Sequence, residues 1–356
     1  MERKYYNVVG VMSGTSLDGI DFAYLKITIK PTYNAQIITA ETQSYPDAWI
    51  KKLQAAVHYN ARDLQELNKS YTQYLGEAIH QFIEKNKIPR DTLDAICSHG
   101  HTILHQPDQG YTLQIGNLPE IASIVKCKTV YDFRVQDVTL GGQGAPLVPI
   151  GDQLLFSTYD YCINLGGFAN VSMQKENTRI AYDICAVNTV LNTYALQLGK
   201  AYDDGGAFAK AGTVNIPLLD DLNALSFFKK SPPKSLGIEW VQEHIFPIIS
   251  NYKIPPKDVL ATFTEHIAQQ LANQIKENSA VLITGGGAYN TYLMERLQAL
   301  KKCEVIVPDN VLVEYKEALI FGLLGVLKLE GKNNCLASVT GARKDHSSGV
   351  VIDYSY

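Results

Sequence analysis

Between Ser13 and Asp21 the chain brings together three hydroxyls (Ser13, Thr15, Ser16), a glycine turn at Gly14 and two carboxylates, Asp18 and Asp21. Apolar runs flank them: Val8, Val9, Val11 and Met12 before, Ile20, Phe22, Tyr24 and Leu25 after. The pattern reads as a buried strand, a tight polar turn and a returning strand. N–H and O–H groups at such a turn suit phosphate oxygens. Gly14 lets a ligand approach the main chain, and Asp18 and Asp21 suit a hard cation such as Mg²⁺. No G-x-x-x-x-G-K-[ST] is present, so this is not a Walker A loop. Composition alone is equally compatible with an ordinary polar hairpin.

Three further stretches could carry chemistry. His99, His101 and His105 fall within seven residues, where alternate strand positions could share a metal; residues lining a site, or surface polar residues, fit the same spacing. Gly166–Gly167 separates two apolar strands, Tyr161–Leu165 and Ala169–Met173, and repeats the first hairpin's layout about 150 residues later. Gly285, Gly286 and Gly287 follow the apolar strand Ala280–Thr284 and precede a helix, an order in which a flat ligand or a phosphate can meet a helix N-terminus. The loop 140–149, LGGQGAPLVP, could close over a ligand or join two domains.

These residues need elements to hold them. With 356 residues, two domains are expected: 1–150, with 331–356 packing back on it, and 151–330. Helical spacing predicts helices over Ala61–Asn86 and from Pro255–Pro256 to about Lys276, the latter with Val259, Leu260, Phe263, Ile267, Leu271 and Ile275 inward. Ala186–Leu198 and Tyr315–Leu329 read as further helices, and TGARKDHSSG near the end as a surface tail. Hydrophobic residues at 46% and charged residues at 19% describe a soluble globular protein. A net charge of −4 argues against nucleic acid as the main partner. Ala318–Leu327, ten residues, is too short to cross a bilayer and reads as a buried helix, so no membrane partner is expected. The N-terminal MERKYYNVV runs straight into the polar turn and does not read as a signal peptide. Six scattered cysteines without a C-x-x-C pair suggest reduced thiols in the cytoplasm rather than a disulfide frame or a zinc site.

The spelling of the motifs adds to this. GVMSGTSLDGID, SHGHTILHQP, LQIGN, DFRVQDV, GGQGAPLVP, INLGGFANV, PPKSLG, LITGGGAYN and EALIFG fall in order from residue 8 to about 343, and together the chain resembles the anhydro-N-acetylmuramic acid kinases. The resemblance implies an α/β fold of two lobes, the actin-like ATPase (ribonuclease H-like) fold, each lobe a mixed sheet flanked by helices, with ATP in the cleft. It implies phosphorylation of O6 of 1,6-anhydro-N-acetylmuramic acid while water opens the anhydro bridge. The product is N-acetylmuramic acid 6-phosphate, in peptidoglycan recycling. ATP and Mg²⁺, a small-molecule sugar as partner, a cytoplasmic location and a homodimer belong to the same expectation.

Roles follow by resemblance. Asp183 matches the catalytic aspartate, the base for water, although an Asp here could also cap the helix predicted from Ala186. Gly14, Thr15, Ser16, Asp18, Asp21, Gly166, Gly167 and Asn170 would hold the nucleotide phosphates, with Asp18 as the metal ligand. Gly285, Gly286 and Gly287 would lie against adenine or ribose. Ser13, Arg134 and Glu317 are assigned to the sugar; Arg134 could instead pair with Asp132 or Asp137, and Glu317 could merely favour a helix N-terminus. There are departures. The family's T-G-P-G-N after the aspartate is here Ile184, Cys185, Ala186, Val187 and Asn188. The usual Arg after PPKS-x-G is Ile238, and the Gln of S-H-G-Q is His101. These leave open a nucleotide-binding regulator with little catalysis, or a kinase for an ordinary hexose.

Overall fold

The computed structural model describes residues 5–354; positions 1–4, which enter the signal-peptide reading, lie outside them. The chain forms two compact units, residues 1–155 with 315–356, and residues 156–314.

The first unit contains β1 (Tyr5–Ser13), β2 (Ile20–Thr28), β3 (Asn34–Gln43), β4 (Ala95–Gln106), β5 (Tyr111–Ile115) and β6 (Thr129–Tyr131). The second contains β7 (Tyr161–Leu165), β8 (Phe168–Lys175), β9 (Thr178–Ala186), β10 (Ala280–Thr284) and β11 (Glu304–Ile306), and β12 (Val350–Ile352) returns to the first sheet beside β6. In the first unit β1, β2 and β3 form an antiparallel meander, then β4 lies parallel to β1 and β6 parallel to β4. The second repeats this: β7, β8 and β9 meander, β10 is parallel to β7 and β11 to β10. Two sheets with one strand order are the ribonuclease H-like, actin-like arrangement, and the two polar turns occupy equivalent hairpins in it.

Why the first strand is apolar throughout follows from its two covers. Val9 and Val11 belong to the core under helix α1 (Ala61–Lys85), with Leu64, Leu67, Tyr71, Leu75, Ile79 and Phe82. Asn60 starts that helix by accepting the Asp63 amide, a favourable N-cap. In the second unit, Val187 precedes helix α2 (Asn188–Leu196), and α3 (Pro256–Gln274) buries Val259, Leu260, Phe263, Ile267 and Leu271 against the β7–β10 core. Helix α4 (Thr291–Leu300) follows β10. Helix α5 (Asn310–Leu329) carries the buried run Ala318–Leu327 and covers the opposite face of the first sheet, at Val8, Gly10 and Leu25.

Three expectations change. Residues 315–330, placed with the second lobe, pack in the first unit, because Gly322 and Gly325 set α5 directly on Leu25 and Cys97. The helix after Asp183 begins at Asn188, since β9 runs on through Ala186. TGARKDHSSG is no surface tail: Thr340, His346 and Ser348 are buried, and Ser348 Oγ donates to the Phe133 carbonyl at 2.7 Å. The six cysteines are all free, and no helix among the described residues is long and apolar enough to cross a membrane.

The contact between α5 and β1 has no room for a side chain at Gly10, where a Cβ would meet the Ala318 carbonyl oxygen at 1.9 Å. Gly10→Val is expected to cost about 1–3 kcal/mol or more by overpacking. Thermal melting followed by circular dichroism reads it, and an unchanged Tm would contradict the packing described.

Candidate active site

In the second unit, strand register builds a polar row. Thr284 on β10 pairs with Asn164 on β7, Asn164 with Asn170 on β8, and Asn170 with Asp183 on β9. Directly paired residues project from the same face of a sheet. The row ends at a bulge: Ala169 pairs with Cys185 but Asn170 with Asp183, so Ile184 is the extra residue. Bulges re-aim side chains and are frequent beside active sites. The SPPKSLG loop then fixes Asp183. Its amide donates to the Lys234 carbonyl at 3.0 Å, and its Oδ2 accepts the Leu236 amide at 2.8 Å. Burial raises its pKa above the ordinary aspartate value, against the lowering effect of the Leu236 N–H. Asp183 is not a helix cap; Val187 occupies that position.

The departing segment is now explained. Ile184, Cys185, Ala186 and Val187 are each 1% exposed or less and belong to the core. Where the family pattern has a glycine turn, this chain has strand through Ala186, and the apolar side chains are buried. Ile238, by contrast, is 40% exposed at the start of a short helical turn.

Gly166 and Gly167 close the β7–β8 hairpin against α2. The Gly167 carbonyl accepts the Val187 amide at 2.8 Å and Thr189 Oγ1 at 3.0 Å, and a Cβ on Gly167 would meet Thr189 Oγ1 at 2.8 Å. Gly285 has φ +81°, and a Cβ there would meet Asn164 Oδ1 at 2.6 Å. Beyond it a pocket of about 530 Å³ is lined by Asn188, Tyr202, Asp204, Gly286, Gly287 and Tyr289, among others. Gly285 itself is not in that lining. Ligand pockets of roughly 300–1,000 Å³ take molecules of nucleoside size. Asn290 Oδ1 accepts the Leu293 amide, so the N-terminus of α4 is capped by its own chain.

In the first unit the β1–β2 turn leaves Thr15, Ser16 and Asp18 exposed, with Ser16 Oγ donating to Asp18 at 2.8 Å. Asp21 accepts Thr42 Oγ1 at 2.6 Å. Ser13 is buried, and its Oγ lies 2.6 Å from Tyr45 Oη and 2.8 Å from His101 Nδ1; Tyr71 joins the same cluster. Burial pushes His101 down to about 4 and Tyr45 up to about 12, so both stay neutral. Arg134 donates through Nε to His99 Nε2 at 2.8 Å and through a terminal nitrogen to the Gly144 carbonyl at 2.6 Å. His99 Nδ1 lies 3.0 Å from the Gly100 carbonyl, which makes it the protonated nitrogen. Burial, then Arg134, lowers the His99 pKa and keeps the ring neutral. Asp137 does not take the guanidinium; it accepts the Gly144 amide at 2.7 Å and so holds the carbonyl that does. Glu317 lies two turns inside α5, not at its start. Burial raises its pKa and the Arg134 charge opposes the rise. Thus Arg134 is joined to His99 and influences Glu317, while the three histidines go to Arg134, Ser13 and Thr112.

Asn164, Asn188, Tyr45 and Gly144 escaped the sequence reading. Asn164 stood in INLGGFANV and Asn188 was the one residue kept after Asp183, so each had a signal; Tyr45 had none.

A family model for anhydro-N-acetylmuramic acid kinase matches residues 6–354. Curated relatives of that name include proteins of Mannheimia succiniciproducens, 34% identical with 99% of each chain covered, and Saccharophagus degradans, 35% identical over 95% of this chain and 96% of the relative. One from Coxiella burnetii is 33% identical over 96% of each.

Glu317, whose side chain keeps some solvent exposure while its pKa is raised, gives a pH test. Its folded pKa is raised, so ionisation disfavours the folded state and stability falls as pH rises above the ordinary glutamate value of 4.5. Glu317→Gln is expected to gain Tm relative to wild type as pH increases from 4 to 7. A difference independent of pH would remove the burial argument.

Proposed function

Because this chain belongs to the anhydro-N-acetylmuramic acid kinase family, we propose that it transfers the γ-phosphoryl group of ATP to O6 of 1,6-anhydro-N-acetylmuramic acid with hydrolytic opening of the ring. The observation that carries the mechanism is Asp183, half-buried at a bulge and held by Leu236. Water attacks C1, its proton passes to Asp183, and the C1–O6 bond breaks. O6 takes the phosphoryl group, giving N-acetylmuramic acid 6-phosphate and ADP. The two halves assist each other, because phosphoryl transfer neutralises the charge that bridge opening places on O6. Positioning supplies much of the barrier reduction in such transfers.

The 530 Å³ pocket supports a nucleoside beside Gly286 and Gly287. Gly287 must be a glycine there, since a Cβ would meet Leu165 Cβ at 2.7 Å. Gly285 shapes the turn leading to it. The family resemblance assigns Gly166, Gly167, Asn170, Gly14, Thr15, Ser16, Asp18 and Asp21 to the phosphates. The exposed Asp18 carboxylate fits a hard cation by its oxygen chemistry, and Mg²⁺ held there would neutralise phosphate charge. Arg134, Glu317 and Ser13 are assigned to the sugar. The cytoplasmic setting, the homodimer and the place in peptidoglycan recycling belong to the same proposal. A regulator without catalysis rested on residues 184–187. Their burial in the core leaves no specific observation in its favour.

Incubation with Mg·ATP and the anhydrosugar, followed by mass spectrometry, is expected to give a product heavier by phosphate plus one water. Phosphate without water would indicate an ordinary hydroxyl kinase. Asp183→Asn is expected to lower kcat by about 10²–10⁴-fold while ATP still binds. The base must be deprotonated and its pKa is raised, so kcat/KM is expected to fall on the acid side at a pH above the ordinary aspartate value of 3.8. A variant retaining full activity would remove Asp183 from the role.

A further inference from the structure

We propose that Asp137, Cys335 and His346 form a binding site for a divalent ion of the zinc class. The three residues are 0%, 1% and 4% exposed, and one donor atom from each lies within 4.8 Å of the others. The decisive feature is the His346 ring. Its Nδ1 lies 3.1 Å from the Lys344 carbonyl, which can only accept, so Nδ1 carries a proton and Nε2 is the nitrogen left to bind an ion. Nε2 is buried, without a hydrogen-bond partner, and faces Asp137 Oδ1 at 3.6 Å; in the neutral tautomer it presents a lone pair there. Two acceptors facing each other away from water are unfavourable. A cation between them makes both into ligands.

The rest of the cluster fits that occupant. Cys335 Sγ lies 3.0 Å from the same Oδ1. Asp137 Oδ2 is already taken by the Gly144 amide, which leaves Oδ1 as a single ligand atom. Zinc bonds of about 2.0–2.3 Å in a tetrahedron require donors about 3.3–3.7 Å apart; Nε2 and Oδ1 stand 3.6 Å apart, Sγ and Oδ1 3.0 Å, and all three within 4.8 Å. One nitrogen, one sulfur and one oxygen suit Zn²⁺ better than Mg²⁺ or Ca²⁺. Thr340 Oγ1 donates to the same Oδ1 at 2.8 Å. On binding, the Cys335 S–H loses its proton to solvent and an S–Zn bond forms, with no change in oxidation state. Burial and Asp137 push the pKa of the free thiol up, so the thiolate is formed only with the ion. Such an ion would brace the Asp137–Gly144 contact that holds Arg134, without touching the reaction.

The test uses full-length protein stripped by a chelator, then titrated with Zn²⁺ or Co²⁺ against a chromophoric competitor. One equivalent is expected to bind and raise Tm, with a thiolate-to-cobalt charge-transfer band. Cys335→Ser and His346→Gln are each expected to weaken Zn²⁺ binding by at least ~10–100-fold, whereas Cys303→Ser leaves it unchanged. X-ray absorption of zinc-loaded wild type needs no variant and is expected to show one sulfur among nitrogen and oxygen ligands. Four results would each overturn the site: no stoichiometric binding by folded wild type, undiminished affinity in a folded Cys335→Ser/His346→Gln double variant, no sulfur in the zinc shell, or a doubly protonated His346 ring by ¹⁵N NMR with zinc present. The last would mean a plain ion pair with Asp137.

Discussion

The first unit depends on one buried carboxylate. Asp137 is fully buried and accepts from the Gly144 amide seven residues on, and from Thr340 Oγ1 and Cys335 Sγ of the C-terminal segment about 200 residues away. A carboxylate removed from water must be satisfied on its lone pairs or it destabilises the fold. Meeting that need fixes the glycine loop after β6 and draws the C-terminal segment inward. The Gly144 carbonyl then has one place to go, and it accepts Arg134. The guanidinium is thereby held from two sides, by a carbonyl and by a neutral histidine. Burial lowers its pKa only to about 10, so it stays charged near neutrality.

The second unit solves its positioning problem with main-chain register. Hydrogen-bonded pairing across β10, β7, β8 and β9 aligns Thr284, Asn164, Asn170 and Asp183 with no side-chain contact needed to set the order. A single inserted residue at Ile184 turns the aspartate without breaking the sheet. The motif that departs from the family pattern lies on the core side of that bulge. There, Ile184 to Val187 contribute buried apolar area rather than ligand contacts. A change of four residues beside Asp183 is therefore a change of packing.

Much of this was legible beforehand because it is local. The β1–β2 and β7–β8 hairpins, the inward face of Pro256–Gln274 and the buried run in Asn310–Leu329 follow from periodicity and glycine placement, which act over a few residues. The likeness to a kinase family was legible because its motifs keep their spelling. Two readings failed where a local rule met a distant partner. Thr340–Gly349 looked like a tail because it is polar, but its polar groups are hydrogen-bonded to Asp137, Phe133 and Asn334. Glu317 looked like a first-turn residue because the helix was read from Tyr315, whereas it begins at Asn310. For His99 and His101 the spacing left open a shared metal, site-lining residues or surface polar residues. Gly100, at φ +73°, breaks the alternation and sends them to Arg134 and Ser13.

By itself, then, the sequence determined the two hairpins, their glycine turns and the helices, since each is written in neighbouring residues. Tertiary structure alone decided which nitrogen of His99 bears its proton, which carbonyl holds Arg134 and which strand partner stands beside Asp183. It alone brought residues 137, 335 and 346 within 4.8 Å. The reason is physical. Periodicity records which face of an element is apolar. The partners of a buried polar group are chosen by chain closure, which can join segments 198 residues apart, as it does for Cys335 and Asp137, and no local pattern encodes that distance.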